Sequence, residues 1–151
     1  MAGWTNRGKY AVLGTYFRAD TQYEPTGFTL MLITSATAPG PDDNDASGYT
    51  EITAGNGYSA GGYALSRNST DFDVLTEDDA NDRALVQIKD VVWTASGGSI
   101  PASGSGARYA VLRDDDTTPN VINYFDLVSD RSVSDGQTLT LQDCEIRINE
   151  S

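Results

Sequence analysis

Apolar and polar positions follow two periods along this chain, a helical one near the N-terminus and a strand-like one over most of the rest. In residues 5–18, TNRGKYAVLGTYFR, Tyr10, Leu13 and Phe17 recur at spacings of three and four, and Thr5 is placed to cap the first turn. The spacing predicts a helix there. Gly8 and Gly14 oppose it, each weakening a helix by about 1 kcal/mol, and a strand is the competing reading. Residues 28–34, FTLMLIT, form a continuous apolar run of strand length. A strand apolar on both sides must be covered on both faces, so this one is expected at the centre of a sheet.

Residues 83–94, RALVQIKDVVWT, alternate most clearly. Ala84, Val86 and Ile88 share one face, then Val91 and Trp93 continue in the opposite phase. A one-residue slip turns apolar groups to the wrong face unless the strand bulges or bends, so a break is expected near Asp90. Residues 137–149 repeat the pattern: Leu139 and Leu141 alternate, then Cys144, Ile146 and Ile148 do so one register over, with a second break expected near Asp143. RYAVLR (108–113) and VINYFDLV (121–128) read as a hairpin whose tip, DDDTTPN, carries turn residues. A short strand is expected around Tyr63 and Leu65. Segment 71–82 begins with alternation at Phe72 and Val74 and ends as a polar turn.

Residues 36–48, 49–62 and 130–136 are rich in Gly, Pro, Asp and Ser and read as loops and turns, and ASGGSIPASGSGA (95–107) as a flexible loop or arm. Several strands, two bends and at most one short helix predict a mainly-β fold: a two-sheet β-sandwich of jelly-roll type. Residues 1–20 are expected to form an N-terminal helix or docking arm, and 21–151 the sandwich. The length, 151 residues, suits one such core.

Charge narrows the function. Twenty-two acids face ten bases, giving −12 with no histidine. The bases are scattered singly, so no basic footprint exists for phosphates, and neither nucleic acid nor an anionic membrane surface is an expected partner. No apolar run suits a signal peptide or a membrane span. The Asn68-Ser69-Thr70 glycosylation pattern is therefore read as chance.

Candidate chemistry is sparse. Without histidine there is no Ser-His-Asp triad and no base for the single cysteine, Cys144, which its alternating surroundings mark as a small buried hydrophobe. Asp43-Asn44-Asp45-Ala46-Ser47-Gly48 resembles the start of a calcium loop, but Ala54 stands where the bidentate Glu belongs, so a solvated turn is expected. Asp114-Asp115-Asp116 reads as an exposed hairpin tip. Glu77, Asp78, Asp79 and Asp82 are neighbours on one turn, not carboxylates on opposite walls of a sugar cleft. GNGYSAGG at 55–62 lacks the spacing and Lys of a phosphate loop. No catalytic residue, cofactor or metal is expected, and the chain reads as a non-enzyme. Trp93 has the surroundings of a core residue. Trp4, near the terminus among polar residues, is either an interface anchor or packed on its own domain.

Three stretches carry a resemblance: TNRGKYAVLGTYFR; TEITAGNGYSAGGYALSRNSTDFDVLTEDDANDRALVQIKDVVWTASGG; and GARYAVLRDD followed by VINYFDLVSDRSVSDGQTLTL. Together they resemble a family of small virion structural proteins of tailed bacteriophages, with WTASGG, a small-residue spacer and then ARYAVL as the most typical feature. The chain departs from that pattern in its shorter 113–121 turn. The resemblance implies a component of the virion, made in the host cytoplasm. It points to a capsid cement or decoration protein on the outside of the head that stabilises neighbouring major capsid subunits. It also implies a homo-oligomer, trimeric or dimeric. A tail or baseplate component, and a glycan-binding module on the virion, are the alternatives. The residues expected to make protein contacts are Trp4, Arg7 and Tyr10 in the N-terminal segment and Tyr23, Tyr49 and Tyr58 in loops.

Overall fold

The computed structural model describes residues 2–19 and 21–149, and the side chain of Tyr23 lies outside the described part. In chain order the elements are β1 (Ala2–Trp4), α1 (Asn6–Arg18), β2 (Gly27–Ile33), β3 (Tyr63–Ser66), β4 (Val74–Asp78), β5 (Arg83–Ile88), β6 (Val91–Thr94), β7 (Ala107–Asp114), β8 (Val121–Arg131), β9 (Thr138–Leu141) and β10 (Cys144–Asn149). The fold is mainly β, with one α-helix among the described residues. The strands form antiparallel sheets in the orders β1-β8-β7-β2-β3, β10-β5-β4 and β6-β9.

β2 lies between β7 and β3, as its continuous apolar run requires. Leu30 and Leu32 enter the main apolar cluster on one face, while Met31 and Ile33 join Val111, Val121 and Tyr124 on the other. Residues from all three sheets meet in that main cluster, including Trp93, Ile100, Phe125, Leu139 and Cys144. Trp93 and Cys144 are thus core residues, as expected.

Both expected breaks occur, and they face each other. The chain leaves the β5–β10 pairing after Ile88↔Cys144 and enters the β6–β9 pairing at Val91↔Leu141. Between them, Gln142 Nε2 donates to Asp90 Oδ2 at 3.2 Å, and Asp143 takes a left-handed conformation with φ of 53°. The two phase slips therefore compensate. Each strand turns its apolar set back to the core at the same level, and the ribbon passes from one sheet to another.

Two expectations are corrected. The 95–107 segment is not a free arm, because Ile100 is fully buried and exchanges backbone hydrogen bonds with Val133. Asp114 is not part of an exposed tip. It is 3% exposed, and its carboxylate accepts from both the backbone N–H and the side-chain amide of Asn120, each at 2.7 Å. Segment 71–82 does pass from a strand into a polar turn: β4, an edge strand, runs to Asp78 and closes into a tight turn at residues 79–81.

Candidate interaction surface

The site is built around α1. Thr5, fully buried, caps it: its Oγ1 accepts from the Gly8 N–H at 2.9 Å and donates to the Val121 carbonyl. The Thr5 N–H donates to the Ile122 carbonyl at 3.2 Å, and the Asn6 N–H to that of Pro41 at 2.6 Å. At the other end Ala19 adopts the left-handed C-cap conformation, and its N–H returns to the Gly14 carbonyl. These contacts fix the helix across β8.

The small residues Gly8, Ala11 and Gly14 are the ones α1 buries. The large ones face outward. Tyr16 is 80% and Phe17 74% exposed, and Tyr10, Val12 and Leu13 are also exposed. The spacing of Tyr10, Leu13 and Phe17 predicted the helix correctly, yet this stripe does not pack on the sheet. The reason is the close approach of helix and β8, which leaves no room for a large side chain between them. The rings of Tyr16 and Phe17 meet edge to face at 5.0 Å.

Beside the helix runs an apolar groove of about 430 Å³. Val12 and Trp4 line its near side, and Leu75, Val86, Ile146 and Ile148 its far side. The far side is one face of the β10-β5-β4 sheet, where Ile146, Val86 and Leu75 lie in one cross-strand row and Ile148, Ala84 and Glu77 in the next. Leu75 is 82% exposed on this edge strand.

The six expected contact residues separate. Trp4 packs on its own domain: it is part-buried against the main cluster, and its Nε1 donates to the Arg147 carbonyl at 2.8 Å, tying β1 to β10. Its edge still lines the groove. Arg7 is half-buried and Tyr10 exposed on α1. Tyr49 is half-buried under loop 36–48 and donates to Asp43 Oδ2 at 2.6 Å, with burial and that carboxylate raising its phenol pKa. Tyr58 is a core residue, 2% exposed. Its hydroxyl donates to Glu51 at 2.7 Å and accepts from the Leu32 N–H at 3.0 Å, so a loop position here supplies an internal strut, not a surface contact. Tyr23 lies outside the described side chains. The sequence reading named none of Val12, Leu13, Tyr16, Phe17, Leu75 and Ile148 as contact residues, although the adjacent aromatics Tyr16 and Phe17 were a visible signal.

The acidic segments are engaged locally. Asp43 Oδ2 also accepts from Gly40 N at 2.7 Å, Asp45 accepts from Ser47 N at 2.8 Å, and Asp115 accepts from Thr26. Among the described residues no cluster of three or more His, Cys, Asp or Glu could hold a metal ion, and no helix is long and apolar enough to cross a membrane. No family model, curated protein or solved structure matches this chain.

Proposed function

We propose that this protein is a non-enzymatic structural subunit that works by packing against other protein subunits. In the particle reading, it is a cement or decoration protein on the outer head of a tailed phage, bound to the major capsid protein, with its β layers packed as a two-sheet sandwich. The observation that supports docking is the outward-facing stripe of α1. A helix normally turns its large apolar residues to the core, and a contiguous apolar patch of this kind on a small domain marks an interaction site. The phage setting rests on the sequence resemblance. A cement protein binds only the assembled shell, so many modest contacts repeated by symmetry stabilise it.

The test is immunogold electron microscopy of intact particles with antibody raised against this chain. Label spread evenly over heads, together with lower thermal resistance of heads lacking the protein, is the expected result. Label confined to tails, or absent, overturns the head assignment.

A further inference from the structure

We propose that α1 docks lengthwise into a groove on a shell subunit, a groove apolar along its floor and edged with carboxylates. The inference rests on the reading of the α1 face as a protein-docking surface and names the chemistry of the partner.

Helical geometry sets the shape of the contact. At about 100° per residue, Val12, Tyr16, Lys9, Leu13, Phe17 and Tyr10 follow one another around the helix within an arc of roughly 160°. The five apolar members are 40% to 80% exposed, and the residues that α1 buries are Gly8, Ala11 and Gly14. Tyr10, Leu13 and Phe17 stand at i, i+3 and i+7, and Val12 and Tyr16 at i and i+4, the spacing with which a helix anchors in a groove. Its capped ends already hold α1 on β8, so docking orders little backbone. At roughly 200 Å² per fully exposed large side chain, the five present on the order of 600 Å². That reaches the top of the range for the largest patch on a monomer, about 300–600 Å², and supplies most of the roughly 800 Å² per partner of a standard interface. The stems of Lys9 and Arg18 add to it.

Charge complementarity gives the rim. α1 carries Arg7, Lys9 and Arg18 and no acid, whereas all 22 acids of the chain lie outside it. Arg7 and Lys9 stand in the first turn, where the helix dipole favours acids over bases, so the stability of α1 does not account for them. Lys9 lies inside the apolar arc, with Val12, Leu13 and Tyr16 next to it at i+3, i+4 and i+7. Neither Lys9 nor Arg18 forms an ion pair among the described residues. A carboxylate rim pairs with both on docking and repels the acid-rich remainder of the chain, which fixes the face presented. An anionic bilayer also suits a basic, aromatic helix. A flat anionic surface would, however, face Asp42 as well, which Asn6 Nδ2 holds beside the start of α1 at 2.9 Å, whereas a groove takes in the outward face of the helix alone.

The test is co-sedimentation of the purified chain with heads lacking it, over a salt series. The proteins compared are the wild type, Tyr16→Ser/Phe17→Ser, Lys9→Glu and a control at the far end of β8, Arg131→Glu. All four substituted side chains are exposed, and circular dichroism and thermal melts verify that the variants fold. The wild type is expected to bind heads, and to bind more weakly as salt rises. The aromatic variant and Lys9→Glu should each bind at least about tenfold more weakly than the wild type, and Arg131→Glu should bind as the wild type does. Binding unchanged by both α1 variants overturns the inference and leaves the particle role standing. A loss for the aromatic variant alone, with Lys9→Glu no weaker than Arg131→Glu, overturns the acidic rim. A wild type that does not bind heads sinks the particle role and this inference with it, and if it co-sediments instead with phosphatidylserine–phosphatidylcholine vesicles, the partner is a membrane.

Discussion

A methyl group built on Gly8 would lie 2.3 Å from the carbonyl oxygen of Ile122. This contact sets how closely α1 rides on β8, and thereby which face of the helix looks outward. The obstacle is backbone, so a larger residue cannot be accommodated by a rotamer change. In an unconstrained helix Gly→Ala stabilises by about 1 kcal/mol. Here Gly8→Ala is expected to reverse that sign and destabilise by about 1–3 kcal/mol through overpacking. Urea denaturation of the two proteins checks it, and an alanine variant as stable as the wild type would show that the helix is not held at this distance.

Tyr58 gives a second test of cis packing. Its hydroxyl serves a buried strand N–H, that of Leu32, and a carboxylate, Glu51, which also accepts from the Gly61 N–H at 2.7 Å. Tyr58→Phe keeps the ring but leaves the Leu32 N–H without its hydroxyl acceptor. A loss of about 1–3 kcal/mol is expected, the range for stranding a buried polar group. Surface contacts behave differently, so Tyr58→Phe should lower the midpoint of urea unfolding whether or not any partner is present.

Acid should weaken the fold through its paired carboxylates. The Arg108 guanidinium beside Asp126, at 2.9 Å, lowers that carboxyl from its usual 3.8 to about 2, helped by the Val128 N–H. Asp71, beside Lys89, and Asp78, held by Asn81 and Arg83, are also lowered. A folded-state value below the unfolded one means that the contribution is complete above about pH 4 and fades as the pH falls towards 2. Asp126→Asn is expected to flatten this part of the stability–pH curve, and carbon-detected NMR titration should place the Asp126 midpoint near 2.

The sequence and the structure agree where one local rule governs. Thr5 marks the helix start, the double-sided run at 28–34 becomes an interior strand, β2, between β7 and β3, and the phase slips at Asp90 and Asp143 mark both breaks. They part where a distant contact decides. Nothing local tells that Gly8 meets the Ile122 carbonyl, so the apolar stripe of α1 reads as a core face although it points outward. Tyr58 sits in a glycine-rich loop and reads as exposed, yet the loop folds its ring onto Trp93, with centroids 5.9 Å apart. Asp114 belongs to a run of three acids, and only the return of Asn120 across the hairpin buries it. The groove is harder still to see in sequence. Its lining draws on β1, α1, β4, β5 and β10, elements far apart in the chain that no local pattern brings together.

The break at Asp143 supplies the last prediction. Its φ of 53° lets the strand turn through one residue, so that Leu141 and Cys144 both point inward across from Val91 and Ile88. A left-handed conformation costs an ordinary L-residue roughly 1–2 kcal/mol, and a β-branched one tolerates it least. Asp143→Gly removes that strain and should leave stability unchanged or slightly higher. Asp143→Val should lower it by about 1–2 kcal/mol. The same variants can be followed by the thiol of Cys144, which burial raises to about 11. In the wild type and the glycine variant the thiol should react slowly with Ellman's reagent in native buffer and fast in urea. If valine opens the turn, the native reaction should speed up in step with the loss of stability. Equal stability and equal labelling for valine and glycine would mean that the strand can change registers without the left-handed residue.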